Sequence, residues 1–286
     1  MASTSSNGWG RTKQEAHEKL AKFNPKIGYP NKWRDYAKLE VKQGDLVGNL
    51  MRAFIHENNF QLGKIGKPID PVQWGMTPQT INAYYNPVRN EIVFPAAILQ
   101  PPFFNLEAED AVNYGGIGAV IGHEMRHGFD DQGRSYDSTG ALRDWWTKTD
   151  AAEYQKRAKV LVDQFNQFEP LPGLHVNGEL TLGENIADLT GPVIARQAYL
   201  LSLTGKPAPA INGIPADQRF YMGWAQSWKA KQRDESLRQQ VLTNVHSPEM
   251  YRANGPIRNI PEFYAAFGVK EGDKLYLPPD RRVKIW

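Results

Sequence analysis

Cysteine is absent from the 286 residues, which excludes a disulfide framework, thiolate nucleophiles and any cysteine-ligated metal. A metal held by this chain must rest on histidine and carboxylate ligands. Long apolar runs are missing as well. The longest uncharged apolar stretch, Ile92 to Leu106, has 15 residues and is interrupted by Pro95, Pro101 and Pro102, too short and too broken for a transmembrane segment. An excess of one charge is also missing: 34 Lys and Arg against 31 Asp and Glu leave +3, which is no footprint of a nucleic-acid partner. No internal repeat appears, so solenoids and arrays are excluded. Residues 1–10 have neither the basic start nor the apolar stretch of a signal peptide and read as a flexible leader or a remnant of expression.

What remains is an ordinary globular composition, 41% hydrophobic and 23% charged, long enough for one or two domains. Ala16, Leu20 and Phe23 at helical spacing make Arg11 to Phe23 a helix, after which Asn24-Pro25 and Tyr29-Pro30 read as loop. A second helix follows Asp45 and runs to about Phe60, and glycines and prolines punctuate a loop from Lys64 to Pro78. Residues 11–80 thus read as a helical segment leading into the rest of the chain. Ile81 to Tyr85 and Glu91 to Phe94, separated by Asn86-Pro87 and Asn90, predict a hairpin at a sheet edge. Glu109 to Gly128 reads as one buried helix whose glycines signal a neighbouring backbone packed close against it. Further helices are predicted over 144–168, 182–203, 216–231 and 236–244. The fold class is mainly α with a small β-sheet.

The segment with chemistry is His123-Glu124-Met125-Arg126-His127. On a helix, positions i and i+4 lie about 40° apart around the axis, so both imidazoles project from one face and reach one zinc ion, with Glu124 beside them. Zinc takes a third protein ligand and leaves a fourth position for water when the site is catalytic. Gly183-Glu184-Asn185-Ile186-Ala187-Asp188 opens a later apolar helix and again sets two carboxylates at i and i+4. One of them can bind metal while the other accepts the second N–H of a ligating imidazole, the role assigned to Asp188. His246, before Ser247-Pro248, reads by itself as a turn histidine.

Together with Asn82-Ala83-Tyr84-Tyr85-Asn86-Pro87, Ile92-Val93-Phe94-Pro95-Ala96, Pro101-Pro102-Phe103-Phe104, His246-Ser247-Pro248 with Arg252, and the closing Ile285-Trp286, these blocks make the chain resemble the neprilysin family of zinc metallopeptidases from about Lys26 onward. The resemblance implies a thermolysin-like zincin catalytic lobe over 81–286, in which His123, His127 and Glu184 bind one Zn2+ and Glu124 is the general base. It implies that His246 helps stabilise the developing oxyanion, and that Arg252 makes a structural or substrate-carbonyl contact. Asn82 and Ala83 correspond to a substrate-binding edge strand, and Phe103, Val120 and Trp228 to a hydrophobic pocket for the residue after the scissile bond. His17, His56 and His175 match nothing in that pattern. The implied activity is hydrolysis of peptides.

Family members are usually more than twice as long, and the N-terminal half that forms a helical lid over the site is absent from this sequence. Either that half sits on a separate chain, or the sequence is truncated, or the lobe stands alone; the alternative to an autonomous peptidase is a zinc-binding lobe that needs such a partner or serves as a binding module. Arg126 occupies a motif position where relatives carry a small polar or aliphatic residue, so it either points away along the helix or pairs with an acid. Val283 replaces the cysteine of the animal relatives' closing tetrapeptide, which points to a bacterial member and, with the family's habit, to a setting outside the cytoplasm.

Overall fold

The computed structural model describes residues 10–285, so most of the expected leader and the closing Trp286 lie outside the described residues. The chain enters through α1 (Gly10–Ala21) and then forms a strand, β1 (Asn24–Gly28), where a loop was expected. Pro25 and the lack of apolar alternation hide this strand in the sequence; it forms because it lies at the sheet edge, where a missing N–H is tolerated. α2 (Leu46–Leu62) is capped by Asp45, whose Oδ1 accepts from the Gly48 amide at 3.0 Å. This helix buries none of its residues, and Leu46, Val47 and Phe54 stay exposed.

β2 (Tyr84–Asn86) and β3 (Glu91–Pro95) complete a three-stranded sheet of order β1-β3-β2, with β1 parallel and β2 antiparallel to the fully buried β3. β2 starts at Tyr84, later than the predicted Ile81. Its register pairs Tyr84 with Val93, so continuing the ladder backwards would set Asn82 opposite Pro95, which has no amide to donate. Asn82 and Ala83 are therefore an extension before the edge strand.

The expected single helix from Glu109 is three pieces: α3 (Asp110–Asn113), a π-helical turn over Tyr114–Gly118, and α4 (Ala119–His127). The Ile117 amide donates to the Phe103 carbonyl at 2.7 Å, leaving the regular ladder, and a Cβ on Gly116 would stand only 2.4 Å from that carbonyl oxygen. An amide drawn out of the helix by a neighbouring chain is a recognised cause of such a bulge.

α5 (Lys148–Phe165) is capped by Thr147, whose Oγ1 accepts from the Asp150 amide at 3.1 Å. α6 (Leu182–Ser202) crosses α4 backbone to backbone: a Cβ on Gly122 would lie 2.7 Å from the Gly191 oxygen, and one on Gly191 would lie 2.5 Å from the Ala119 oxygen. α7 (Ala216–Ser227) and α8 (Asp234–Thr243) follow near their predicted places. α9 (Glu249–Ile257) and α10 (Pro261–Phe267) lie beyond the last helix predicted from the sequence. Pro261 opens its helix, where its missing N–H costs nothing, and Pro256 falls in the last turn of α9.

The main core gathers Tyr154, Phe165, Ile186, Phe220 and Trp224 between α5, α6 and α7, and Val283 and Ile285 close it without a disulfide. A smaller core of Ala83, Ile92, Phe94, Ile98 and Ile117 sits between the sheet and the π turn. The site lies between these two cores. No helix among the described residues is long and apolar enough to cross a membrane.

Candidate active site

The i,i+4 spacing on α4 turns His123 and His127 to one side, with ring centroids 4.6 Å apart and Nε2 atoms 3.0 Å apart. From the first turn of α6, Glu184 sets Oε2 3.2 Å from His123 Nε2 and Oε1 3.6 Å from His127 Nε2. Each imidazole is also held from behind. His123 Nδ1 is 2.8 Å from Asp188 Oδ1, and His127 Nδ1 is 2.6 Å from Asp130 Oδ2. A carboxylate at Nδ1 fixes a proton there, so each ring turns Nε2 toward Glu184, where a metal would take the place of the Nε2 proton.

The charges follow from this packing. Burial works against a proton on His123, yet the hydrogen bonds to Asp188 and Glu184 outweigh it and raise the pKa to about 10. His127 is likewise raised, burial opposing and Asp130 prevailing. Burial would push Glu184 up, but its bonds to His123 and His246 hold it well below the ordinary carboxylate range. Asp188 is lowered against its burial by Arg252 and His123. Burial raises Glu124, with His123 and His127 pulling the other way. Two imidazoles facing this much negative charge form a seat for a cation. Among the described residues His123, His127 and Glu184 are the group whose ligand atoms all lie within 4.8 Å of one another, and two imidazoles with one carboxylate suit zinc with a position left open.

The segment between α8 and α9 brings in His246, whose Nε2 is 3.1 Å from Glu184 Oε2. Asn244 Oδ1 holds that residue twice, accepting from its backbone N at 2.9 Å and lying 2.8 Å from Nδ1. Behind it the fully buried Ser247 Oγ donates to Asn185 Oδ1 at 2.9 Å, tying this segment to α6. Arg252 on α9 donates from Nε to Asp188 Oδ2 at 2.7 Å and from Nη2 to Asp188 Oδ1 at 3.0 Å and Glu184 Oε2 at 3.4 Å. Its guanidinium carbon stands 4.1 Å over the Trp228 ring.

These groups open into a cleft of about 780 Å³, which Asn82, Ala83, Phe103, Val120, Glu124 and Trp228 also line. Asn82 is exposed at its rim, and its Oδ1 accepts from the Ala83 amide at 2.9 Å, while the Ala83 side chain belongs to the smaller core. Thus every residue given a catalytic, metal or substrate role in the sequence analysis borders one cavity. Arg126 does not: it is turned into the core, where burial lowers its pKa to about 9 against the pull of Tyr154 and Asp130. Sequence reasoning passed over Asp130, Asn244, Asn185 and Ser247. Asp130 had a signal: each ligating imidazole needs an acceptor at its other nitrogen, only one had been assigned, and Asp130 lies three residues after His127.

Residues 82–283 match Peptidase family M13. The chain belongs to that family. It is 36% identical over 286 residues to an endothelin-converting enzyme homolog of Locusta migratoria, which covers 96% of this chain and 39% of that protein. It is 37% identical over 289 residues to Homo sapiens neprilysin, covering 96% and 38%. The chain therefore spans about two fifths of the length of these curated relatives. The crystal structure of the Mycobacterium tuberculosis zinc metalloprotease Zmp1 in complex with an inhibitor superposes with a TM-score of 0.95 at 52% identity, over 99% of this chain and 44% of that one. PepO from Lactobacillus rhamnosis gives a TM-score of 0.88 at 37% identity, over 98% and 44%. The family's helical fold with a small sheet is the fold of this chain.

Proposed function

We propose that this chain is the catalytic part of a zinc endopeptidase that hydrolyses oligopeptides, favouring a hydrophobic residue after the scissile bond. The observation that carries the reading is the convergence of His123, His127 and Glu184, ligand atoms within 4.8 Å, with buried Glu124 beside them on the wall of an open cleft. His123, His127 and Glu184 hold one Zn2+, and Asp188 and Asp130 fix the two imidazoles from behind. Zinc in that seat supplies Lewis acidity, which makes water nucleophilic near neutral pH.

Glu124 takes a proton at its carboxylate as water oxygen bonds to the peptide carbonyl carbon, and returns it to the amide nitrogen as the C–N bond breaks. Its burial favours this, because a raised pKa makes it a better acceptor. His246, held at Nδ1 by Asn244, aims Nε2 inward and donates to the oxyanion that develops. Arg252 keeps Asp188 and Glu184 in place. Asn82, exposed at the rim, bonds the backbone of an extended peptide laid along the sheet edge. Phe103, Val120 and Trp228 supply the apolar wall that receives the side chain following the cut.

The test is cleavage of an internally quenched hydrophobic peptide by the purified chain, which a chelator should abolish and added zinc restore. Cleavage indifferent to chelation overturns the reading. A chain that binds zinc and cuts nothing overturns its autonomy and favours a lobe working with a further protein segment.

Asp188→Asn measures the support behind the metal. Removing the charge at His123 Nδ1 should weaken zinc binding by roughly 10–100-fold in a chelator competition, while unchanged affinity would remove Asp188 from this role.

A further inference from the structure

Lys19 lies on α1, outside the residues 82–283 that match the family, and its side chain is fully buried at 0% exposure. A buried ammonium is costly unless each of its three N–H groups is bonded. Here Nζ donates to the carbonyls of Gly128 at 2.6 Å, Gly133 at 2.7 Å and Tyr136 at 2.7 Å, so every donor is used. Tyr85, Phe129 and Trp145 place their rings about the ammonium, with centroids 5.6, 5.6 and 6.0 Å away.

All three carbonyls belong to the segment that follows α4. Gly128 comes directly after His127, and Asp130 in the same turn accepts from the Gly133 amide at 2.7 Å through Oδ1 while Oδ2 holds His127 Nδ1 at 2.6 Å. Three carbonyl oxygens converge on one point, and without a cation there they would repel one another in a place closed to water. The turn would then open and carry Asp130 with it. The backbone of the same residue reaches the opposite wall of the cleft: the Lys19 carbonyl accepts from Asn90 Nδ2 at 2.9 Å, and Asn90 Oδ1 accepts from the hydroxyl of Tyr85, a cleft residue, at 3.0 Å.

We propose that Lys19 is a positioning residue for the metal, setting affinity at His127 by locking the turn that carries Asp130. The proposal rests on the reading that His123, His127 and Glu184 hold zinc. Its test is the zinc dissociation constant of the full chain, read by competition with a chromophoric chelator. Lys19→Met should weaken zinc by roughly 10–100-fold, as for other groups that orient a ligand. Asp130→Asn should do the same, and the double variant should bind no more weakly than the single ones, because both act through His127. Thr12→Val is the control on the same helix. It breaks the 2.5 Å bond from Thr12 Oγ1 to Asp150 Oδ2, and should lower thermal stability without changing zinc affinity. Should Lys19→Met fail to fold, Lys19→Gln, which keeps two donors, gives the same comparison. Unchanged affinity in the Lys19 variant, an equal loss in Thr12→Val, or a multiplied loss in the double variant would overturn the proposal. A wild-type chain that binds no zinc would instead overturn the metal reading beneath it.

Discussion

Glu124→Gln is expected to leave zinc bound and to lower kcat for peptide hydrolysis by about 10²- to 10⁴-fold, the usual worth of a positioned general base. The substitution keeps the shape of a side chain that is only 5% exposed between the two imidazole ligands. It removes the one carboxylate of α4 that faces the cleft without being engaged at an imidazole nitrogen in the way of Asp188 and Asp130. None of the three metal-seat groups is altered, so metal content by elemental analysis should match the wild-type chain while turnover disappears. Normal cleavage by the variant would dismiss Glu124 as the base. Loss of metal along with activity would mean that Glu124 helps to hold the cation, and the mechanism would have to be rebuilt around another acceptor.

The legible part of this site is the part that helical spacing encodes. His123 and His127, and again Glu184 and Asp188, each sit four apart within one helix, so their common face follows from α geometry alone. What joins the two pairs is not local. The carboxylate of Asp188 meets His123 across 65 residues of sequence, and Ser247 meets Asn185 across 62. Lys19 is the extreme case, since its carbonyl partners lie 109 to 117 residues away and a lysine in a charged helical stretch looks like any solvated surface group. α9 and α10 went unpredicted: both are short, and the proline in each, Pro256 in a last turn and Pro261 at a first position, is compatible with a helix only because it falls at an end. β1 was hidden for a different reason: its buried position is the charged Lys26 and its one large apolar residue, Ile27, is exposed, so no apolar alternation marks the strand that pairs with β3.

The glycines before and within the motif helix announced a close neighbour, and the neighbour proves to be the other ligand-bearing helix, which makes Gly191→Ala the second substitution of large effect. A Cβ at position 191 would stand 2.5 Å from the Ala119 carbonyl oxygen and 3.0 Å from the backbone nitrogen of His123 itself. Both are backbone atoms and cannot swing aside, so α4 and α6 must part by roughly 1 Å to reach ordinary contact. Zinc sites tolerate errors of only about 0.2 Å in ligand distance, and His123 and Glu184 lie on opposite sides of this crossing. Gly191→Ala should therefore cost about 1–3 kcal/mol of stability, as overpacked cores do, and weaken zinc by more than Asp188→Asn does. Gly118→Ala separates this from a general effect of filling glycines near the site. Its Cβ would meet Tyr114 and Ala195 at 3.5 to 3.6 Å, ordinary contact, and alanine gains about 1 kcal/mol of helix propensity over glycine. Thermal melts and chelator competition on the pair decide it: Gly118→Ala should hold zinc and melt no lower than wild type. If Gly191→Ala kept full zinc affinity, the spacing of these two helices would not be what sets the ligand geometry, because the collision falls on the backbone of the first ligand.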